Sequence, residues 1–114
     1  MTTETVSHTA PLWRWTGSNG VSWHFVTIDG EAGEHLAATE AMRRLELGTK
    51  RGFRSLKVSV RIRESKWKTS CFPGFKNDAE PDGERGWLLP IKAAIRKAEG
   101  ISEGDSVNVE LEFL

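Results

Sequence analysis

The most regular pattern in the chain runs from Leu56 to Arg63, where Leu56, Val58, Val60 and Ile62 alternate with Lys57, Ser59, Arg61 and Arg63. Strict alternation places one set of side chains on each face and predicts a half-buried strand. After Glu64 and Ser65 the chain returns as KWKTSCF, so a hairpin with those two residues as its loop is expected. In that register Ile62 faces Trp67, Val60 faces Thr69 and Val58 faces Cys71 on the inner side. Arg63 then faces Lys66, and Arg61 faces Lys68, on the outer side. The alternation returns at the C-terminus, with Val107, Val109, Leu111 and Phe113 against Asn108, Glu110 and Glu112.

Upstream, PLWRWT and VSWHFVTI flank Gly17, Ser18, Asn19 and Gly20, which predicts another hairpin. Trp23, Phe25 and Thr27 share one face of its second strand, and His24, Val26 and Ile28 share the other. Both faces are largely apolar, so this strand should be covered on each side. A helix is expected from an Asp29 cap, with Glu31 and Glu34 at its positive end and Ala38, Ala41, Met42 and Leu45 as its buried stripe. Gly48 would stop it. Pro73 to Gly86 reads as a mobile loop. GWLL is a short strand entering a second helix, with Pro90 at the first helical position and Ile91, Ala94, Ile95 and Ala98 buried. Gly100 fits a left-handed cap, and Gly104-Asp105 a turn. The two strand-to-helix steps, WHFVTID and WLLPIKA, are what a pseudo-twofold barrel would need. Residues 1–9 read as a flexible leader and 10–114 as a single β-barrel domain. Val58, Val60, Ile62, Trp67, Ile91, Ile95, Val107, Val109 and Leu111 are expected in its core.

The last third, GWLLPIKAAIRKAEGISEGDSVNVELE, resembles the swapped-hairpin motif of the AbrB and MazE transcription factors through Pro90, Arg96, Gly100, Ile101, Gly104, Asp105 and Val107. Across nearly the whole chain, LWRW, WHFVTI, RGFRSLKVSVRI, WKTSCFP and LLPIKAAIRKAEGISEGD are similar to a bacterial and archaeal family, domain of unknown function 1905. The resemblance implies a mainly β, double-split β-barrel capped by two short α-helices, and no activity. The AbrB likeness is an analogy of fold. Those factors build a barrel from two short chains, whereas this chain has elements enough for one alone, so a monomer is expected.

Composition narrows the setting. A chain of 114 residues suits one core, and its longest apolar runs are too short to span a membrane. The first nine residues lack the basic start and apolar stretch of a secretory signal. The single cysteine, Cys71, cannot bridge internally, so a reducing cytoplasm is expected. The 16 basic and 16 acidic residues cancel, but unevenly. Residues 1–49 carry −3, residues 50–68 carry +7, and residues 69–114 carry −4.

The basic block is the leading candidate site. Lys57, Arg61, Arg63, Lys66 and Lys68 would form an anion face, with nucleic acid among its candidate partners. Like charges directly across a strand pair cost an estimated 0.2–1 kcal/mol, so something should offset them. If the closing strand is the hairpin's neighbour, Glu110 and Glu112 supply that charge, and this is the outcome expected, because exposed charge clusters are usually balanced. The alternative is an enzyme or small-molecule carrier with a barrel-end pocket lined by Trp13, Trp15, Trp23 and His24. Tryptophans exposed beside the basic block would point to base stacking instead.

The remaining candidates have plain readings. His24 reads as a core histidine bonded to backbone, and His35 as a surface residue. His8 falls in the leader. Cys71, facing inward, reads as a small hydrophobe. Asp78, Glu80, Asp82 and Glu84 lack a cation-loop register. KRGFRSLKV begins like an RNA-recognition strand, but Arg54, Ser55 and Leu56 break the match. No metal, cofactor or catalytic set is expected, and the leading reading is a non-enzymatic binding module. A passive interaction domain is a third.

Overall fold

The computed structural model describes residues 5–47, 55–74 and 86–114, the side chains of residues 44, 46 and 47 excepted. Six strands and two helices follow in the order β1 (Thr5–Thr16), β2 (Ser22–Ile28), α1 (Gly30–Leu47), β3 (Leu56–Ile62), β4 (Ser65–Pro73), β5 (Trp87–Pro90), α2 (Ala93–Glu99) and β6 (Ser106–Phe113). The strands close into an antiparallel barrel in the order β1-β2-β5-β4-β3-β6. The expected stop at Gly48, the start of the basic block and the acidic loop lie outside the described residues.

The barrel is split because two strands each serve two sheets. β1 pairs with β6 from Thr5 to Pro11, then with β2 from Leu12 to Thr16. β4 pairs with β3 up to Cys71, then with β5 through Phe72 and Pro73. The first of these pairings corrects the leader: from Thr5 onward the segment is ladder, with Val6 buried opposite Leu111 and His8 opposite Val109. Partners about a hundred residues away supply the order that the segment's own few apolar groups cannot.

The strands β2 and β5 run antiparallel side by side, from Phe25 opposite Pro90 to Ile28 opposite Trp87. Each then feeds a helix, so the two helices leave toward opposite ends of the barrel, as the repeated strand-to-helix step requires. All nine expected core residues are buried, joined by Leu12, Val26, Ile28, Leu56, Cys71 and Leu89.

Both helices differ from expectation in detail. In α1 the buried positions are Ala32, Gly33, Leu36 and Glu40, whereas Ala38, Met42 and Leu45 face outward. The docked face runs from Ala32 to Glu40, with Arg43 over the Phe113 ring at 5.8 Å, and Gly33 sits so close that a Cβ would meet the Ile28 carbonyl oxygen at 2.8 Å. His35 is half-buried rather than fully on the surface, its ring packing 5.6 Å from that of Phe113. α2 begins at Ala93, because Pro90 still belongs to β5 and the Ile91 amide donates to the His24 carbonyl at 2.9 Å. Only Ile91 and Ile95 of its expected stripe are buried. Gly100 closes α2 with φ 64°, and the next amide, Ile101, donates to the Arg96 carbonyl.

Candidate functional site

The central hairpin turns one residue earlier than its sequence implies, which moves each cross-strand pairing by two. Leu56 lies opposite Cys71, Val58 opposite Thr69, Val60 opposite Trp67 and Ile62 opposite Ser65. Arg63 and Glu64 therefore form the loop, and Arg63 adopts φ 52°, uncommon for a side chain other than Gly or Asn. Hydrogen bonds hold it there. Arg61 Nε donates to the Arg63 carbonyl at 2.9 Å, and Arg63 Nη1 donates to the Glu99 carbonyl at the end of α2 at 3.3 Å. Ser65 Oγ donates to Glu99 Oε2 at 2.6 Å.

A shift of two residues keeps every side chain on its expected face but changes its partners. Arg61 stands opposite Lys66, while Lys68 faces Ser59 and Lys57 faces Ser70. One like-charge pair therefore remains where two were expected. On the other side of β3 runs β6, with Glu110 opposite Arg61 and Glu112 opposite Ser59. The closing strand is therefore the hairpin's neighbour, and its glutamates stand beside β3 rather than beside Lys66 and Lys68 of β4. Lys57, Arg61, Arg63, Lys66 and Lys68 are all exposed and are all brought to this hairpin.

At the turn end of β3 the surface is concave. A groove of about 450 Å³ is lined by Arg61, Arg63, Thr9, Asn108, Ser106 and Glu110 over Ile62, Ile101 and Val107. Asn108 Nδ2 donates to Thr9 Oγ1 at 2.8 Å across β6 and β1. Each guanidinium has five N–H donors, and the bonds described above use one on each. Thr9 and Asn108 were missed in the sequence because nothing local to either brings β1 beside β6.

The tryptophans and His24 project from opposite faces of β1 and β2. Trp13 lies opposite Phe25 and Trp15 opposite Trp23, on the outer face of β1 and β2. His24 lies opposite Arg14 on the other face, with its Nε2 3.5 Å from Arg96 Nη1. Burial, then Arg96 and Arg14, hold its pKa below the usual 6.5, with Glu103 opposing. Its buried Nδ1 has no hydrogen-bond partner among the described residues, and His24 is half-buried, which differs from the backbone-bonded core residue expected. Trp13 Nε1 donates to Thr27 Oγ1 at 2.8 Å, and its ring lies 5.3 Å from that of Phe25.

Cys71 is fully buried, and burial pushes its thiol up to about 12, so it stays protonated and unreactive at neutral pH. Among the described residues no group of three or more His, Cys, Asp or Glu side chains is placed to hold a metal ion, and no helix is long and apolar enough to cross a membrane. No curated protein matches the chain. The closed barrel, the helix at each end and a family match over residues 8–111 agree, and the chain belongs to the family described as Domain of unknown function (DUF1905).

Proposed function

We propose that the protein is a non-enzymatic binding module that holds a small anionic ligand in the groove between β3 and β6. The observation supporting this is the convergence of Arg61 and Arg63 on one concave, partly apolar site beside Thr9, Ser106 and Asn108. Guanidiniums suit a phosphate or carboxylate because their paired N–H groups match its oxygens, and charge-assisted bonds are about twice as strong as neutral ones.

The surrounding charge sets the character of the binding. Glu110 lines the groove, and Glu64 and Glu99 lie at the turn. With carboxylates this near and a net charge of zero, long-range attraction is weak, and affinity comes from direct contact. Titration of inorganic phosphate or pyrophosphate, followed by backbone amide NMR shifts, tests the reading. Saturable shifts at Thr9, Arg61, Arg63 and Asn108 are expected, with at least a tenfold loss in Arg61→Ala/Arg63→Ala. Absence of saturation, or an unchanged affinity in the double variant, would reject it.

A further inference from the structure

The outward side chains of β4 change character along the strand. Lys66, Lys68, Ser70 and Phe72 share the face opposite to the buried Trp67 and Cys71. The Phe72 ring meets that of Phe25 edge-on at 5.9 Å. Phe25 in turn lies parallel to Trp23, with an interplanar angle of 8° and centroids 6.3 Å apart. Trp23 is 50% exposed, and Trp15 directly opposite it is 39% exposed, its indole reaching over Gly17. A basic row therefore passes without a break into an aromatic shelf. The outward residues of the intervening β5, Leu88 and Pro90, carry no charge.

We propose that this surface binds single-stranded nucleic acid, with phosphates on Lys66 and Lys68 and bases stacked on Trp23 and Trp15. The inference goes beyond the groove, since it needs neither Arg61 nor Arg63. Non-specific single-strand binders pair a basic track with aromatic rings, because every base offers a π face and every nucleotide a phosphate. Large aromatic faces are normally buried in a monomer, and two half-exposed indoles side by side are the opposite of that economy. Charge supports the choice of partner. The glutamates of β6 are two strands from β4, about 10 Å away at normal strand spacing and near one screening length at 0.1 M salt. Among the described residues, those between Lys68 and the aromatic side, Ser70, Leu88 and Pro90, are uncharged, while Glu64 and Glu99 lie beyond Lys66 at the turn. From Lys66 to Phe72 is about 20 Å along the strand, room for several nucleotides.

Fluorescence anisotropy of labelled 12-mers of dT and rU, in 20 mM salt, tests the proposal with intrinsic tryptophan quenching as a second readout. Saturable binding with quenching is expected, falling about tenfold in Trp23→Ala and in Lys66→Glu/Lys68→Glu. Arg61→Ala/Arg63→Ala should bind the 12-mers within about twofold of the parent, which separates this surface from the anion groove. If Trp23→Ala does not fold, as judged by circular dichroism, Trp23→Phe retaining most affinity beside the weakened lysine variant carries the same result. Lack of binding at 20 mM salt overturns the proposal. So does parental affinity in the lysine variant, or tryptophan quenching by a neutral polysaccharide where the oligonucleotides give none.

Discussion

Arg61 of β3 and Glu110 of β6 are direct cross-strand partners, and the same arginine faces Lys66 of β4 on its other side. One unfavourable pair is thus flanked by one favourable pair on a single outer sheet face. The carboxylate does two opposed things. It offsets the repulsion within the hairpin, and it places negative charge in the groove where an anion would sit.

Glu110→Gln separates these effects. Stability should fall by about 0.2–1 kcal/mol in low salt, and the difference from the parent should shrink as salt is added. Phosphate affinity should rise in the same variant. Urea unfolding at two ionic strengths, with phosphate titration alongside, checks both signs.

The buried thiol of Cys71 should resist iodoacetamide in the native protein and react once urea unfolds the chain. Cys71→Ser puts a hydroxyl among apolar neighbours and should cost about 1–3 kcal/mol. Rapid native alkylation, measured by mass spectrometry, would show that the β4 register is wrong.

Gly33→Ala tests how α1 is docked. The new Cβ would press on the Ile28 carbonyl, a backbone atom that cannot swing aside. A loss of about 1–3 kcal/mol is expected despite alanine's better helix propensity. Thermal melting that showed the variant more stable than the parent would mean the first turn of α1 stands off the barrel.

His24 gives a pH dependence of definite sign. Its folded pKa lies below 6.5, chiefly through burial and then through Arg96 and Arg14, so the unfolded chain binds the proton more readily. The stability linked to this group is complete above about 6.5 and declines as pH falls through the depressed folded value. His24→Gln should therefore lose less stability than the parent between pH 7.5 and 5.5. Parallel pH curves in the two proteins would assign the dependence to other groups.

Because one chain supplies all six strands of the closed barrel, no strand need be borrowed from a second copy. Sedimentation at micromolar concentration should give the monomer mass of 12.7 kDa. An obligate dimer would show that strands are exchanged.

Alternation along β3 and β6 was legible because a period of two assigns faces whatever the pairing. Val58, Val60, Val107, Val109 and Leu111 are therefore inside as their pattern demands. The same property hid the register. Shifting the pairing by two residues leaves every face intact, and the choice fell to Arg63, whose positive φ is held by bonds to Arg61 and to the end of α2. The stripe of α1 misled for a related reason. Ala38, Met42 and Leu45 are apolar and correctly spaced, but the face that meets the barrel is the neighbouring one through Ala32, Leu36 and Glu40, with Gly33 against the Ile28 carbonyl. Residues 5–9 looked disordered because their order comes from β6, and Thr9 reaches the groove only through that pairing. In the strands, local spacing determined which side chains turn inward. Long-range pairing decided which of the outward ones stand together, because ladder partners distant in sequence leave no trace in the composition of either strand.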